Sequence, residues 1–178
     1  KIDLVVLPAT GDTESTRKKL KLMRRETLDM NLTSLLAIPS NKTTHSVKNL
    51  LFVTGMKRLR GLGNYLHEIF VFASIFNASI HYVHLSKHAK ESLGIKEDLM
   101  HSIQETGSRG SKIEVHSLSD RDPGKKLLYY ISENDIDLLA IAKQQMHILK
   151  EFYSSGFFEE ICSTLGIPVL IIKESHLD

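Results

Sequence analysis

The sequence predicts an α/β protein with a doubly wound, five-stranded parallel sheet, preceded by a βαβ fragment of a second copy of the same unit. From residue 49 onward, short apolar runs alternate with amphipathic helical stretches, which is the element order of a parallel sheet with right-handed crossovers. In addition, the first part of the chain repeats the pattern of its last part at a constant offset of about 134 positions.

The repeat consists of four strand-like runs, two near each end of the chain, with a helical stretch inside each pair. They align without a gap as Lys1–Leu7 and Ser34–Pro39 with Asp135–Ile141 and Pro168–Lys173. Few residues are identical, so the alignment depends on the hydrophobic pattern. The alternative is that any two βαβ units look similar, because buried parallel strands are all short runs of Leu, Ile and Val. We favour the repeat.

The repeat divides the chain into three segments. Residues 1–40 are predicted to be the C-terminal βαβ part of a first domain, residues 41–48 a polar linker and residues 49–178 a complete domain. A length of 178 residues, 42% of them hydrophobic, suits one ordinary domain plus a fragment. The sequence opens on a strand at Lys1 without a methionine, so we expect a piece of a longer protein that lacks the first half of domain one.

The first half of the complete domain carries clear signals for its elements. Asn49–Thr54 is a continuous apolar run that ends in Gly55, as is typical of a central parallel strand. Apolar residues at helical spacing then predict a helix from Leu62 to Phe76. Ser79–Leu85 is predicted to be the second strand, and a weaker helical zone, residues 87–106, follows it.

The second half continues the alternation. Ile113 and Val115 alternate with polar residues, which predicts a third strand near the edge of the sheet with one apolar face. Asp122 and Pro123 predict a helix start, because Asp caps helices and proline is tolerated in the first turn. The runs Asp135–Ile141 and Pro168–Lys173, which form the second copy of the repeat, supply the last two strands.

Several stretches together carry a resemblance to a known family. They are the opening strand NLLFVT, the second strand IHYVHLS, the closing elements DIDLLAIA and GIPVLIIKE, and, in the fragment, DLVVLPATGD and TSLLAIPS. From about Lys48 to Lys173 the chain resembles the universal stress protein family. The resemblance implies a Rossmann-like, adenine-nucleotide alpha hydrolase-like fold and a parent protein with two such domains in tandem.

Members of this family that bind ATP have a Gly-x2-Gly-x9-Gly-Ser/Thr loop after the fourth strand, where backbone amides hold the phosphates. They also have an acidic residue after the first strand that contacts the adenosine. Here the glycine positions fall at Ala142, Gln145 and Ser155, and the position after the first strand is Thr54 or Gly55. We therefore expect no ATP binding of that kind and no cofactor.

The resemblance implies a non-enzymatic stress-response module of the branch that does not bind ATP. The first alternative is an adenine-nucleotide-binding sensor with a divergent phosphate loop, and the second, less favoured, is a nucleotidyl transferase-like enzyme. The sequence contains no Gly-x-Ser-x-Gly elbow, no Walker loop and no His-Glu-x-x-His motif. We accordingly predict no catalytic residues and no metal ligands.

Any ligand is expected beyond the C-terminal ends of the strands, where open α/β sheets bind their ligands. The basic stretch Met56–Gly63 in this region is interpreted as a solvated turn, with an anion-binding loop at a helix N-terminus as the alternative. The residues equivalent to the family's crevice are Thr54, Gly55, Lys57, Arg58, Val83, Ala142, Lys143, Gln145 and Ser155.

Three further features receive structural interpretations. His84 and His88 are four residues apart, but this spacing crosses from a strand into a helix, so neither they nor His81 are predicted to bind metal. The basic run Arg17–Arg25 is interpreted as a solvated helix face rather than a surface for nucleic acid or membrane. Cys162 falls among apolar residues and is predicted to be a small buried side chain.

Partners and location follow from charge and from the resemblance. A net charge of +2 gives no field that would attract nucleic acid or membrane, and a single cysteine is compatible with the cytoplasm. In the family the last strand pairs antiparallel with its counterpart in a second domain. The resemblance thus implies that Leu35–Ile38 lies beside Val169–Ile172, and that the protein self-associates through these edges.

Overall fold

A computed structural model of the chain shows one sheet of seven strands with helices on both faces. It describes residues 4–9, 33–39, 46–55, 61–86, 94–107, 110–120, 122–143 and 161–173. The strands are β1 (Leu4–Pro8), β2 (Ser34–Ile38), β3 (Asn49–Gly55), β4 (Ser79–Ser86), β5 (Ile113–Ser119), β6 (Leu138–Ala142) and β7 (Val169–Ile172). The helices are α1 (Leu62–Phe76), α2 (Ile95–Thr106) and α3 (Pro123–Glu133), with a π-helical turn at Ile161–Leu165.

The strand order across the sheet is β1-β2-β7-β6-β3-β4-β5. The five strands from β3 to β7 are parallel to their neighbours within this group, which confirms the predicted α/β fold class with a five-stranded parallel sheet. β5 lies at one end of the sheet, as its single apolar face predicted. None of the helices in the described parts of the chain combines the length and the apolarity that crossing a membrane requires.

An antiparallel contact between β2 and β7 joins the N-terminal strands to this parallel group. Leu36 lies opposite Leu170, and the pairing runs from Leu35 with Ile171 to Ala37 with Val169. The pairing of these two strands is therefore confirmed within the chain. Because β2 also pairs with β1, and β7 with β6, both edges of β2 and of β7 are occupied.

Two apolar layers cover the sheet because successive side chains of a strand point to opposite faces. On one face, Val53 and Val83 pack with Leu127 of α3. On the other, Phe52 and Leu138 pack with residues of α1 and α2, such as Phe70. Leu35 and Ala37 of β2 belong to the first layer, so the core continues across the β2–β7 contact.

The helix boundaries follow the predicted signals. Asp122 caps α3 by accepting a hydrogen bond from the Lys125 amide at 3.1 Å, and Pro123 occupies the first turn. α2 begins only after Gly94, whose φ of 80° suits glycine, while residues 87–93 of the predicted helical zone lie outside the described residues. Cys162 is buried, as predicted. The basic run, residues 17–25, also lies outside the described residues.

The acidic residue that precedes β6 fastens two strands together. The Oδ2 atom of Asp137 accepts hydrogen bonds from the amides of Lys48, at 2.8 Å, and Asn49, at 2.9 Å. The Asp137 amide in turn donates to the Asn49 carbonyl at 2.9 Å. A carboxylate that accepts two backbone N–H groups makes charge-assisted bonds, which are stronger than neutral ones. This residue therefore fixes where β3 starts relative to β6.

Replacement of this carboxylate tests its structural contribution. We expect Asp137→Ala to lower the free energy of unfolding by about 1–3 kcal/mol, because it removes both acceptors at the start of β3. Urea denaturation followed by circular dichroism measures the change. Glu133→Ala, at the exposed end of α3, is the matched control and should change stability by less than about 0.5 kcal/mol. Equal losses in the two variants would contradict the assignment.

Candidate functional site

The carboxyl ends of β3, β4 and β6 meet at one edge of the sheet. Gly55 lies opposite Leu85 of β4, and Val53 lies opposite Ile141 of β6, one residue before Ala142. Ligands in open α/β sheets bind beyond this edge, so this is the candidate site.

A buried polar network lies just below this edge, on the sheet face that α1 and α2 cover. Thr54 Oγ1 is 2.8 Å from Tyr82 Oη and 3.3 Å from His84 Nδ1. The register explains the arrangement, since Thr54 lies opposite His84, and Tyr82 precedes His84 by two residues on the same face. All three side chains are buried, with Thr54 only 2% exposed.

The electrostatics of the network keep its phenol neutral. Burial raises the pKa of Tyr82 to about 12, the hydrogen bond with Thr54 acts in the opposite direction, and the charge of Asp98 on α2 raises it further. Tyr82 is therefore a hydrogen-bond donor or acceptor at physiological pH and not a base. Although Thr54 and His84 are adjacent, burial of the hydroxyl denies a substrate access to it. The network is consequently suited to holding β3 against β4 rather than to nucleophilic catalysis.

The structure describes five of the residues that the sequence assigned to the crevice. Thr54, Gly55 and Ala142 come together at the carboxyl edge, and Lys143 directly follows β6 there. Val83 lies in the core on the opposite face, toward α3, and is fully buried. The remaining four, Lys57, Arg58, Gln145 and Ser155, lie outside the described residues.

The glycine-containing turn before α1 has a structural explanation at its last position. Gly61 adopts φ 67° and ψ 27° immediately before the helix, a left-handed conformation that glycine accepts without strain. The residues before it, 56–60, lie outside the described residues, so the anion-binding alternative for Met56–Gly63 stays a hypothesis.

The histidines of β4 do not converge on one site. His81 and His84 are three residues apart on a strand, so their side chains point to opposite faces, and His88 lies outside the described residues. His81 Nδ1 is 3.0 Å from the Tyr130 Oη on α3. Burial lowers the pKa of the His81 imidazole and raises that of Tyr130 to about 12.

Sequence reasoning missed Tyr82 and His84 as the partners of Thr54. The signal that could have found them is the alternation along β4, combined with a parallel register that sets Thr54 opposite His84. That register depends on how the starts of β3 and β4 align, where the Ser79 amide donates to the Lys48 carbonyl at 2.8 Å, and the sequence alone does not specify this alignment.

Comparisons with known proteins point to one fold. The sequence matches no protein-family model and no curated protein. Among solved structures, the universal stress protein from Archaeoglobus fulgidus in complex with dAMP aligns with a TM-score of 0.50 at 17% identity, over 71% of this chain and 98% of that one. A universal stress protein in complex with cAMP aligns with a TM-score of 0.51 at 17% identity, over 73% and 99%. The fold is that of the universal stress proteins.

A third structure extends the likeness to the N-terminal strands. A universal stress protein from Archaeoglobus fulgidus DSM 4304 aligns with a TM-score of 0.58 at 13% identity and covers 99% of this chain. This chain spans 62% of the length of that universal stress protein.

Removal of the Thr54 hydroxyl tests the network. We expect Thr54→Val to lower the free energy of unfolding by about 1–3 kcal/mol, because Tyr82 loses its hydrogen-bond partner in a buried place. The spectroscopic titration of Tyr82 should also move to higher pH, since the hydrogen bond with Thr54 lowers the pKa of Tyr82. Thr54→Ser keeps the hydroxyl and serves as the matched control. A valine variant as stable as the wild type would contradict this role.

Proposed function

We propose that this protein is a universal-stress-type, non-enzymatic module that does not bind ATP through the glycine loop of the family's ATP-binding branch. The observation that supports this most directly is at the end of β3. Thr54 and Gly55 stand where ATP-binding members have an acidic residue, and the Thr54 hydroxyl already contacts Tyr82 at 2.8 Å. An adenosine in this crevice would thus lack the carboxylate partner that ATP-binding members provide.

The phosphate side of the crevice supports the same proposal. Ala142 takes the first glycine position, and its side chain is fully buried in the layer toward α1. Gln145 and Ser155 take the other two positions in the sequence. Phosphate binding at a helix N-terminus requires backbone amides that approach closely, which side chains at these positions obstruct.

A second candidate function is a sensor for an adenine nucleotide with a single phosphate. Two similar universal stress proteins were solved in complex with dAMP and with cAMP. Such a nucleotide has no β- or γ-phosphate, so it needs fewer of the amides that the glycine loop provides. In this chain Lys143, directly after β6, would supply the positive charge for that phosphate.

Calorimetric titration with ATP, dAMP and cAMP separates these functions. We expect no ATP binding with a Kd below about 1 mM, since both the carboxylate and the glycines are replaced. Micromolar affinity for ATP would refute the proposal. Micromolar affinity for dAMP or cAMP alone, lost in Lys143→Gln, would establish the second candidate. Lys48→Gln, at the opposite end of β3, is the matched control for that variant.

We further propose that residues 1–40 belong to a first domain of a tandem pair. The continuation of the sheet through β2 and β7 supports this, as does the likeness to a longer universal stress protein over 99% of this chain. Because the edges of β2 and β7 are occupied within the chain, self-association through them requires that two copies exchange their β1–β2 units. Domain exchange is a low-cost route from an internal contact to a dimer.

Light scattering coupled to size-exclusion chromatography tests this form of association. We expect a dimer whose fraction increases with protein concentration and rises further when the 41–48 linker is shortened, because a shorter linker disfavours the β2–β7 contact within one chain and leaves the same contact between two chains intact. Met100→Lys, an exposed apolar position on α2, is the control and should leave the dimer fraction unchanged. A protein that stays monomeric at all concentrations would contradict the proposed exchange.

A further inference from the structure

Three potential metal ligands meet on the sheet face that α3 covers. They are His81 of β4 and Glu114 and His116 of β5, and their ligand atoms all lie within 4.8 Å of one another. The register produces this arrangement because His81 lies directly opposite Glu114, while His116 follows Glu114 by two residues and points to the same face.

One separation in the cluster is close to that between ligands of a metal centre. Zn²⁺ bonds to nitrogen and oxygen at about 2.0–2.2 Å, which sets tetrahedral ligands about 3.3–3.6 Å apart. Glu114 Oε2 and His116 Nε2 are 3.7 Å apart, too far for a hydrogen bond and close to that value. Small rotations of the side chains would bring all three donors onto one ion.

One nitrogen of the cluster makes no hydrogen bond with the residues that the structure describes. His116 Nε2 is shielded from solvent and makes no hydrogen bond, although its ring remains partly exposed. A buried polar atom without a partner costs free energy, so such atoms call for an explanation. A cation between this nitrogen and Glu114 would provide one.

His81 is held in place from the opposite side. Its Nδ1 lies 3.0 Å from Tyr130 Oη, and its ring stacks on that of His116, with 13° between the ring planes. When Nδ1–H donates to the phenol oxygen, Nε2 keeps its lone pair for a metal. Metal-binding histidines usually use their second nitrogen in this way.

We propose that His81, Glu114 and His116 bind a divalent first-row transition metal ion, with Zn²⁺ as the representative. Two imidazoles and one carboxylate form a donor set that suits zinc and its neighbours. Three protein ligands leave one position for water or another ligand. The partial exposure of Glu114 and His116 provides a path by which the ion enters.

Lys112 competes with the ion for the carboxylate. Its Nζ is 2.7 Å from Glu114 Oε1, and its side chain is 72% exposed, so it can move into solvent when the metal binds. The competing explanation of the cluster is that charged residues on β5, the last strand of the sheet, prevent pairing with other chains. That explanation predicts no stoichiometric metal binding.

This site is separate from the crevice. His81 is the third residue of β4 and Glu114 the second of β5, so the cluster lies toward the amino ends of the strands. The network of Thr54, Tyr82 and His84 lies on the other sheet face. The metal proposal therefore does not depend on the proposed function.

The test is a calorimetric titration of Zn²⁺ into chelator-treated protein, with Co²⁺ absorption as a second readout of coordination. We expect one equivalent with a Kd on the order of micromolar. Glu114→Gln and His116→Gln should each weaken binding by at least about tenfold, and Tyr130→Phe by about tenfold through its effect on His81. Thermal unfolding of the metal-free variants checks that they fold.

The chain has nine histidines, so two control variants test whether the ion binds at this cluster rather than at another histidine. His101 and Glu105 form an exposed pair on α2 with 3.5 Å between Nδ1 and Oε2, so His101→Gln and Glu105→Gln should leave binding unchanged. Lys112→Gln, an exposed change that does not threaten folding, should tighten binding several-fold by removing the competitor.

The opposite results would overturn the proposal. One such result is that the wild type binds less than one equivalent of Zn²⁺, and another is that both Glu114→Gln and His116→Gln bind it with wild-type affinity. The others are that the α2 control variants lose as much Zn²⁺ affinity as the site variants, or that Lys112→Gln binds Zn²⁺ more weakly than the wild type.

Discussion

The register of β4 between β3 and β5 decides which polar side chains meet in this protein. Side chains alternate along a strand, so a slip of one residue would send each of them to the other face. The observed register gathers Thr54, Tyr82 and His84 on one face and sets His81 beside Glu114 on the other. Both clusters therefore depend on the same alignment of backbone hydrogen bonds.

The burial of polar side chains on β4 also has a cost in free energy. β4 is the most polar of the inner strands, with buried Tyr82, His81 and His84, and burying such groups is tolerable only when hydrogen bonds replace those of water. Thr54 satisfies Tyr82, and Tyr130 satisfies His81. A neighbouring strand and a helix thus each supply a partner for a buried polar residue of β4, and the Thr54–Tyr82 pair opposes any alternative register of β4 on β3.

Much of the fold was predictable because its signals are local. The apolar run of β3, the helix spacing of α1 and the cap at Asp122 all lie within a few residues of what they determine. The contact between β2 and β7 was reached through a family resemblance, since no local signal links positions so far apart. The clusters were missed for the same reason. In the sequence His81 is near His84 and His88, whereas in the fold it lies beside residues of β5.

The reversal of strand direction at the β2–β7 contact places carboxyl ends of strands on both rims of the sheet. The carboxyl ends of β1 and β2 lie on the rim where β3 and β6 begin, and Ala9, just after β1, donates to the Ile38 carbonyl there. A molecule at Gly55 and one at Ala9 would therefore contact opposite rims of the sheet.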